Sequence, residues 1–251
     1  MSKKQYVAGT YYAMTDIGKV RLTNEDRVVT SVNLKGNILL IVCDGMGGQN
    51  KGEYAAEMAS KLILESFEQK QKFLNHYTAL RWVSNVVRKA NRAVFNEAQS
   101  NPNYNGMGTT LTLVLIYHSY LISCQVGDSR AYTMRNRQFD QITEDQSYVG
   151  YLYRIGKISK DEMKTHPKRH VLMNALGIFP SLNMDIRIRP YTNESVLVCS
   201  DGLYNNVEEG NIAAILKSDD TTHQKVKELI SLANVNGGSD NIAVALWEAK
   251  E

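Results

Sequence analysis

Leu39-Leu40-Ile41-Val42-Cys43-Asp44-Gly45 is an apolar strand-like run that ends in a carboxylate and a glycine. Val196-Leu197-Val198-Cys199-Ser200-Asp201-Gly202 nearly repeats it far downstream. A strand ending in Asp-Gly throws its carboxylate out at a sheet edge, and the glycine lets a ligand approach the backbone closely. Working outward, three more short acidic motifs abut strand-like runs: Asn24-Glu25-Asp26, Gly127-Asp128-Ser129 and Asp240-Asn241. The chain is arranged to gather carboxylates.

Gathering them is costly. Two ionised carboxylates about 4 Å apart, at an effective dielectric of about 20, repel by about 4 kcal/mol. That is a sizeable part of a domain's net stability. Arg21 is the one cation close upstream of a motif, and a single guanidinium does not neutralise four or five carboxylates. The cluster has no histidine or cysteine of the kind a zinc site prefers. Hard divalent cations with oxygen ligands, Mg²⁺ or Mn²⁺, fit the donor set.

The hydrophobic periodicity predicts strands at residues 6–15, 27–33 and 37–43, then helices at 53–68 and 77–98. The first helix places Ala56, Ala59, Ile63 and Phe67 on one face, and the second Leu80, Val83, Val87, Ala90 and Val94. Four strands follow at 110–117, 120–126, 129–134 and 139–142, with a hairpin turn at His118-Ser119. Residues 146–178 read as short helices rich in Tyr, Lys, Arg and His without a strong apolar stripe, a surface insertion. Strands at 184–189 and 195–199, helices at 208–216 and 222–234, and a strand at 242–247 complete the chain. Grouped strands with separate helix pairs favour two packed antiparallel sheets flanked by helices over a doubly wound parallel fold. No linker divides the chain, so residues 1–251 are expected to form one domain.

The 251 residues are 43% hydrophobic and 22% charged, an ordinary globular balance. A net charge of +3 is too small to argue for nucleic acid. No signal peptide is read behind Lys3 and Lys4, and no apolar run approaches the roughly 18 residues of a membrane span, so a cytoplasmic protein is expected. Cys43, Cys124 and Cys199 lie inside apolar runs with no metal-type spacing and are expected as buried thiols. The glycine-rich Gly45-Met46-Gly47-Gly48 fails the dinucleotide fingerprint because position 50 is Asn50, and it fails as a P-loop because no Gly-Lys-Ser or Gly-Lys-Thr follows. It remains a turn suited to close metal and phosphate approach.

Taken together, six stretches resemble a known family, the metal-dependent protein phosphatases of the PPM, or protein phosphatase 2C-like, type. They are Thr15-Asp16-Ile17-Gly18 through Arg21 to Asn24-Glu25-Asp26-Arg27, Val42-Cys43-Asp44-Gly45-Met46-Gly47-Gly48 with Gly52, and Gly106-Met107-Gly108-Thr109-Thr110. The others are Val126-Gly127-Asp128-Ser129-Arg130, Cys199-Ser200-Asp201-Gly202-Leu203 and Gly237-Gly238-Ser239-Asp240-Asn241-Ile242. The resemblance covers essentially the whole chain in family order. Met46, where animal relatives usually have histidine, is similar to the bacterial branch.

The resemblance implies an α+β fold, a four-layer α/β/β/α sandwich of two antiparallel sheets flanked by helix pairs, with a flap at about residues 146–178. It implies a Mg²⁺- or Mn²⁺-dependent protein serine/threonine phosphatase working by direct attack of a metal-bridging hydroxide. By resemblance Asp44 bridges two metals, Asp201 and Asp240 complete the first, and Glu25 with the Gly45 carbonyl completes the second. Asp128 with Asp201 matches a third-metal site. Arg21 matches the phosphate-binding arginine and Asp26 a residue that orients a metal-bound water. With Met46 in the histidine's place, a metal-bound water is the candidate acid for the leaving group. The implied partners are phosphorylated proteins and a cognate Ser/Thr kinase, with no nucleic acid and no membrane. His166-Pro167-Lys168-Arg169-His170 in the flap either steers substrates or is a solvated basic loop. Gln146, where many relatives have histidine, receives no catalytic role. Two rivals are a catalytically dead phosphoprotein binder, which would be expected to have lost metal carboxylates, and a two-metal nuclease, which the near-neutral charge disfavours.

Overall fold

The computed structural model describes residues 8–47, 51–70 and 72–250. The start of the first expected strand, at Tyr6, and Gly48 of the glycine-rich turn lie outside them.

In chain order the elements are β1 (Gly9–Asp16), β2 (Asp26–Val32), β3 (Ile38–Met46), α1 (Lys51–Glu68) and α2 (His76–Ser100), then β4 (Gly108–Thr109), β5 (Leu111–Tyr117), β6 (Tyr120–Val126), β7 (Arg130–Arg135) and β8 (Gln138–Gln141). Next come α3 (Tyr148–Arg154), α4 (Lys160–Thr165), β9 (Asp185–Pro190), β10 (Ser195–Cys199), α5 (Asp201–Tyr204), α6 (Glu209–Lys217), α7 (Thr222–Val235) and β11 (Ile242–Ala249). One sheet runs β1-β11-β10-β7-β8 and the other β2-β3-β5-β6-β9, with β4 paired to the end of β3. Every pairing between these strands is antiparallel.

The continuous apolar character of β3 and β10 follows from burial on both faces. Successive side chains of a strand point to opposite sides. In β3, Ile38, Leu40 and Val42 face the other sheet and pack with Val196, Val198, Ala243, Ala245 and Trp247. The alternate residues Leu39, Ile41 and Cys43 face outward onto α1 and α2, where Ala56, Ala59, Ile63, Val83, Val87 and Val94 meet them. On the opposite side, Leu197, Cys199 and Leu246 pack against Ile212 and Leu216 of α6 and Val226 and Leu229 of α7. These three apolar layers make the four-layer sandwich that the sequence implied.

The same alternation aims the acidic residues. Asp44 shares its face with Ile38, Leu40 and Val42, so it emerges between the sheets where the sandwich ends. Asp26 pairs directly with Asp44 across β2 and β3, which puts two carboxylates on one face at opposed positions. Like charges so placed are destabilising without a counter-charge.

Three details differ from the sequence reading. First, β3 continues through Asp44 to Met46 because β4 pairs with Gly45 and Met46. Second, a one-turn helix, α5, begins at Asp201, immediately after β10. Third, the 146–178 insertion carries its two short helices but is not wholly a surface feature. Leu176 is fully buried in the core beneath α2, and Asn91 of α2 accepts the Gly177 N–H and donates to the Phe179 carbonyl. All three cysteines are buried free thiols.

Candidate metal centre

The Asp44 peptide is held from β4 and β5. Thr110 N–H donates to the Asp44 carbonyl at 2.8 Å, the Asp44 N–H donates to Thr110 Oγ1 at 3.0 Å, and Thr109 Oγ1 donates to the same carbonyl at 3.0 Å. The next residue needs to be glycine: a Cβ on Gly45 would lie 2.3 Å from the Gly52 carbonyl carbon and oxygen. Backbone contact between β3 and α1 at this point draws Glu25 in, since the Gly45 N–H donates to the Glu25 carbonyl at 3.2 Å.

Glu25 and Asp240 are brought together by one side chain. Asn241 Oδ1 accepts the Glu25 N–H at 2.9 Å, while Asn241 Nδ2 donates to the Ile17 and Thr23 carbonyls. The loop carrying Arg21 is thereby fastened to the start of β11, and Arg21 donates to Asp240 Oδ2 at 2.7 Å. The Arg21 side chain is 54% exposed, leaving its fork turned largely to solvent.

Asp201 comes from the other sheet. Ser200 shares its face with Val196 and Val198, reaches across the sandwich and donates to Asp26 Oδ2 at 2.6 Å; it also accepts the Ala243 N–H. This bond joins the two sheets at the acidic end. A Cβ on Gly202 would sit 1.9 Å from the Asn241 carbonyl oxygen. Gly202→Ala should therefore push α5 away from the start of β11, separating Asp201 from Asp240. Overpacking of this kind costs about 3 kcal/mol. We expect a lower midpoint in urea together with weaker Mn²⁺ binding by calorimetry, and a variant with wild-type values for both would show that α5 does not need this close approach.

Asp128 follows a glycine at φ +96°, a left-handed conformation that glycine adopts freely. The Asp128 carbonyl accepts from Tyr204 Oη at 3.0 Å. Tyr204 in turn lies under the Arg130 guanidinium, 3.6 Å from the ring centroid, and Arg130 is bidentate to Asp145.

Burial raises the proton affinity of these carboxylates, and their neighbours raise it further. Burial, then Asp26, Asp201, Asp128 and Asp240, pushes Asp44 well above the usual carboxylate range. Burial is also the first cause at Asp26, which rises to about 8 despite the Ser200 hydrogen bond, and at Asp201, which rises to about 7 with Asp240 beside it. Asp128 and Glu25 are shifted up for the same leading reason. Among the described residues no three His, Cys, Asp or Glu side chains already close around one point. Asp240 turns to Arg21, Asp26 to Ser200 and Asp201 to Asn205. The donor set still fits a hard divalent cation. It is all oxygen, its members repel one another, and Glu25 Oε1 is buried without any hydrogen-bond partner among the described residues.

A family model, protein phosphatase 2C, matches residues 19–245. The chain belongs to that family. The serine/threonine phosphatase stp of Listeria monocytogenes is 37% identical over 235 residues, 93% of each chain. The structure of the serine/threonine phosphatase Stp1 of Staphylococcus aureus superposes with a TM-score of 0.93 at 30% identity, covering 100% of this chain and 99% of the other. That of the catalytic domain of serine threonine protein phosphatase PstP in complex with two manganese ions gives 0.85 at 30% identity, covering 97% and 99%. This protein phosphatase 2C member is a protein serine/threonine phosphatase of a metal-dependent family. Among its described residues no helix is long and apolar enough to cross a membrane.

The sequence reading named every carboxylate in this constellation. It gave no part to Ser200, Asn241 or Tyr204, whose partners lie 174, 216 and 76 positions away. No local pattern signals such pairings.

Proposed function

We propose that this phosphatase removes phosphate from phosphoserine and phosphothreonine in proteins with Mg²⁺ or Mn²⁺, opposing a cognate Ser/Thr kinase in the cytoplasm. Asp44 would bridge two ions, with Asp201 and Asp240 on one and Glu25 and the Gly45 carbonyl on the other; Asp128 with Asp201 would hold a third. The observation that carries this reading is the orphaned, buried Glu25 Oε1 in the same group as Asp44, whose strongest neighbours are all carboxylates. When bound, such a pair supplies a nucleophile by lowering the pKa of water from 15.7 toward about 7, and neutralises phosphoryl charge.

The chain's own residues do the rest. Asp26, held through one oxygen by Ser200, presents the other to orient the attacking water. Arg21 leans over the carboxylates from the rim, and its planar fork suits bidentate contact with phosphoryl oxygens. The test is phosphate release from a phosphothreonine peptide with and without Mn²⁺, beside a DNA substrate. Release from the peptide alone, only with metal, supports the proposal; nuclease activity without peptide hydrolysis would sink it.

Arg21→Ala should separate binding from chemistry. A guanidinium that mainly holds the phosphate dianion acts on ground and transition states alike, so KM should rise with a smaller fall in kcat. Loss of a charged hydrogen-bond partner is worth about 1.5–3 kcal/mol, roughly ten- to hundredfold in kcat/KM. An unchanged KM with a reduced kcat would instead place Arg21 in the transition state.

A further inference from the structure

Gln146 stands at the neck of the flap with all its polar groups in use. Its N–H donates to the Gly127 carbonyl at 2.8 Å and its carbonyl accepts the Met173 N–H at 2.8 Å. Its side-chain Oε1 accepts the Gly127 N–H at 3.1 Å and Asn174 Nδ2 at 2.7 Å, while Nε2 donates to the Gln125 carbonyl at 3.2 Å. One side chain thus joins the end of β6, the turn before Asp128, and the returning strand of the flap. Beyond it the neck is closed by pairing of Ser147 with Leu172.

We infer that Gln146 is a positioning residue for Asp128: it fixes the Gly127–Asp128 turn from the flap side, opposite Tyr204, and locks the two ends of the flap to that turn. The Asp128 carbonyl is held by Tyr204 and the Gly127 carbonyl by Gln125 Nε2 and the Gln146 backbone N–H, so what the Gln146 side chain adds is the hold on the Gly127 N–H and its tie to Asn174 of the returning flap. Gly127, with its positive φ, has no side chain with which to stiffen itself. The chemistry demands both a donor and an acceptor at one place. A carboxamide offers both, a neutral imidazole offers one of each, and a carboxylate offers acceptors only. The flap exit is fastened independently to the Asp44 side, because Thr109 and Leu176 exchange backbone hydrogen bonds and Thr109 Oγ1 donates to the Asp44 carbonyl. The neck therefore straddles two carboxylate loops, and Gln146 is its attachment to the second.

The inference uses the proposed assignment of Asp128 to a metal, but its test does not depend on turnover. Full-length wild type, Gln146→Ala, Gln146→Glu and Gln146→His are compared in two measurements. In EDTA, limited trypsin digestion reports opening of the flap, which offers Arg154, Lys157, Lys160, Lys164, Lys168 and Arg169. Gln146→Ala should be cut there about tenfold faster, the effect of losing two or three hydrogen bonds on a local opening equilibrium. Calorimetric titration with Mn²⁺ should show the weaker binding step lowered about tenfold, the usual scale for removing a partner behind a metal ligand, with the tighter steps unchanged. Gln146→His should restore both readings, and Gln146→Glu should not restore the weak step. If Gln146→Ala does not fold, Gln146→Glu, of equal size, carries the comparison. Faster cleavage with an unchanged weak step makes Gln146 a flap brace only and overturns the inference, as does a wild type with no weak step. Absence of phosphate release by the wild type would refute the phosphatase reading without touching either measurement.

Discussion

Asp44→Ala should leave less than about a hundredth of wild-type turnover, the scale of removing a principal electrostatic stabiliser, and excess Mn²⁺ should not restore it. Asp44 projects between the sheets at the end of β3, opposite Asp26, and no other carboxylate can take that place without changing the register. The same substitution should make the metal-free protein more stable. The strongest influences on Asp44 are burial and four other carboxylates, so without metal the site either carries their mutual repulsion or takes up protons to relieve it, and removing Asp44 lifts part of that cost. Phosphopeptide assays and thermal melts in EDTA therefore move in opposite directions. A variant that retains a tenth of its activity would remove Asp44 from the bridging position, and a lower melting temperature in EDTA would show that the carboxylate is held by attraction instead.

Chelation should abolish activity, and Mn²⁺ or Mg²⁺ should restore it, if the nucleophile at neutral pH is supplied by bound metal as proposed. The metal-free protein should also have a distinctive pH dependence. Asp26 and Asp201 are raised to about 8 and about 7 from 3.8, so between these limits the native state binds more protons than the unfolded chain. Stability then falls as pH rises. The contribution is complete below about pH 4 and is lost through pH 7 to 8. Melts in EDTA should thus drop steadily from pH 5.5 to pH 8.5. With Mn²⁺ present the slope should flatten or reverse, since metal and protons compete for the same oxygens. Full turnover in a demonstrably metal-free sample, or a metal-free melting temperature that rises with pH, would contradict the arrangement.

Much of this was legible in the chain itself. The two-sided burial of β3 and β10 can be read from Ile38 to Cys43 and from Val196 to Cys199, because a strand covered on both sides has no polar alternation. The helical stripes of α1 and α2 are equally plain, and each carboxylate stands beside a motif at a strand end, where chemistry is commonly carried. Local sequence was less informative where an element ends by contact with a distant one. The extension of β3 to Met46 depends on β4, and the start of α5 at Asp201 depends on Gly202 fitting against the Asn241 carbonyl.

The sequence by itself determined which residues are acidic, which faces are apolar, and therefore that two covered sheets end in carboxylates. Only the tertiary structure decided how those carboxylates meet: Ser200 reaching across the sandwich to Asp26, Asn241 drawing Glu25 toward Asp240, and Gln146 fastening the flap to the turn before Asp128. The physical reason is one of range. Burial pattern and turn chemistry act between near neighbours in the chain, whereas a hydrogen bond linking residues up to 224 positions apart exists only after the apolar layers have packed and fixed both of its ends.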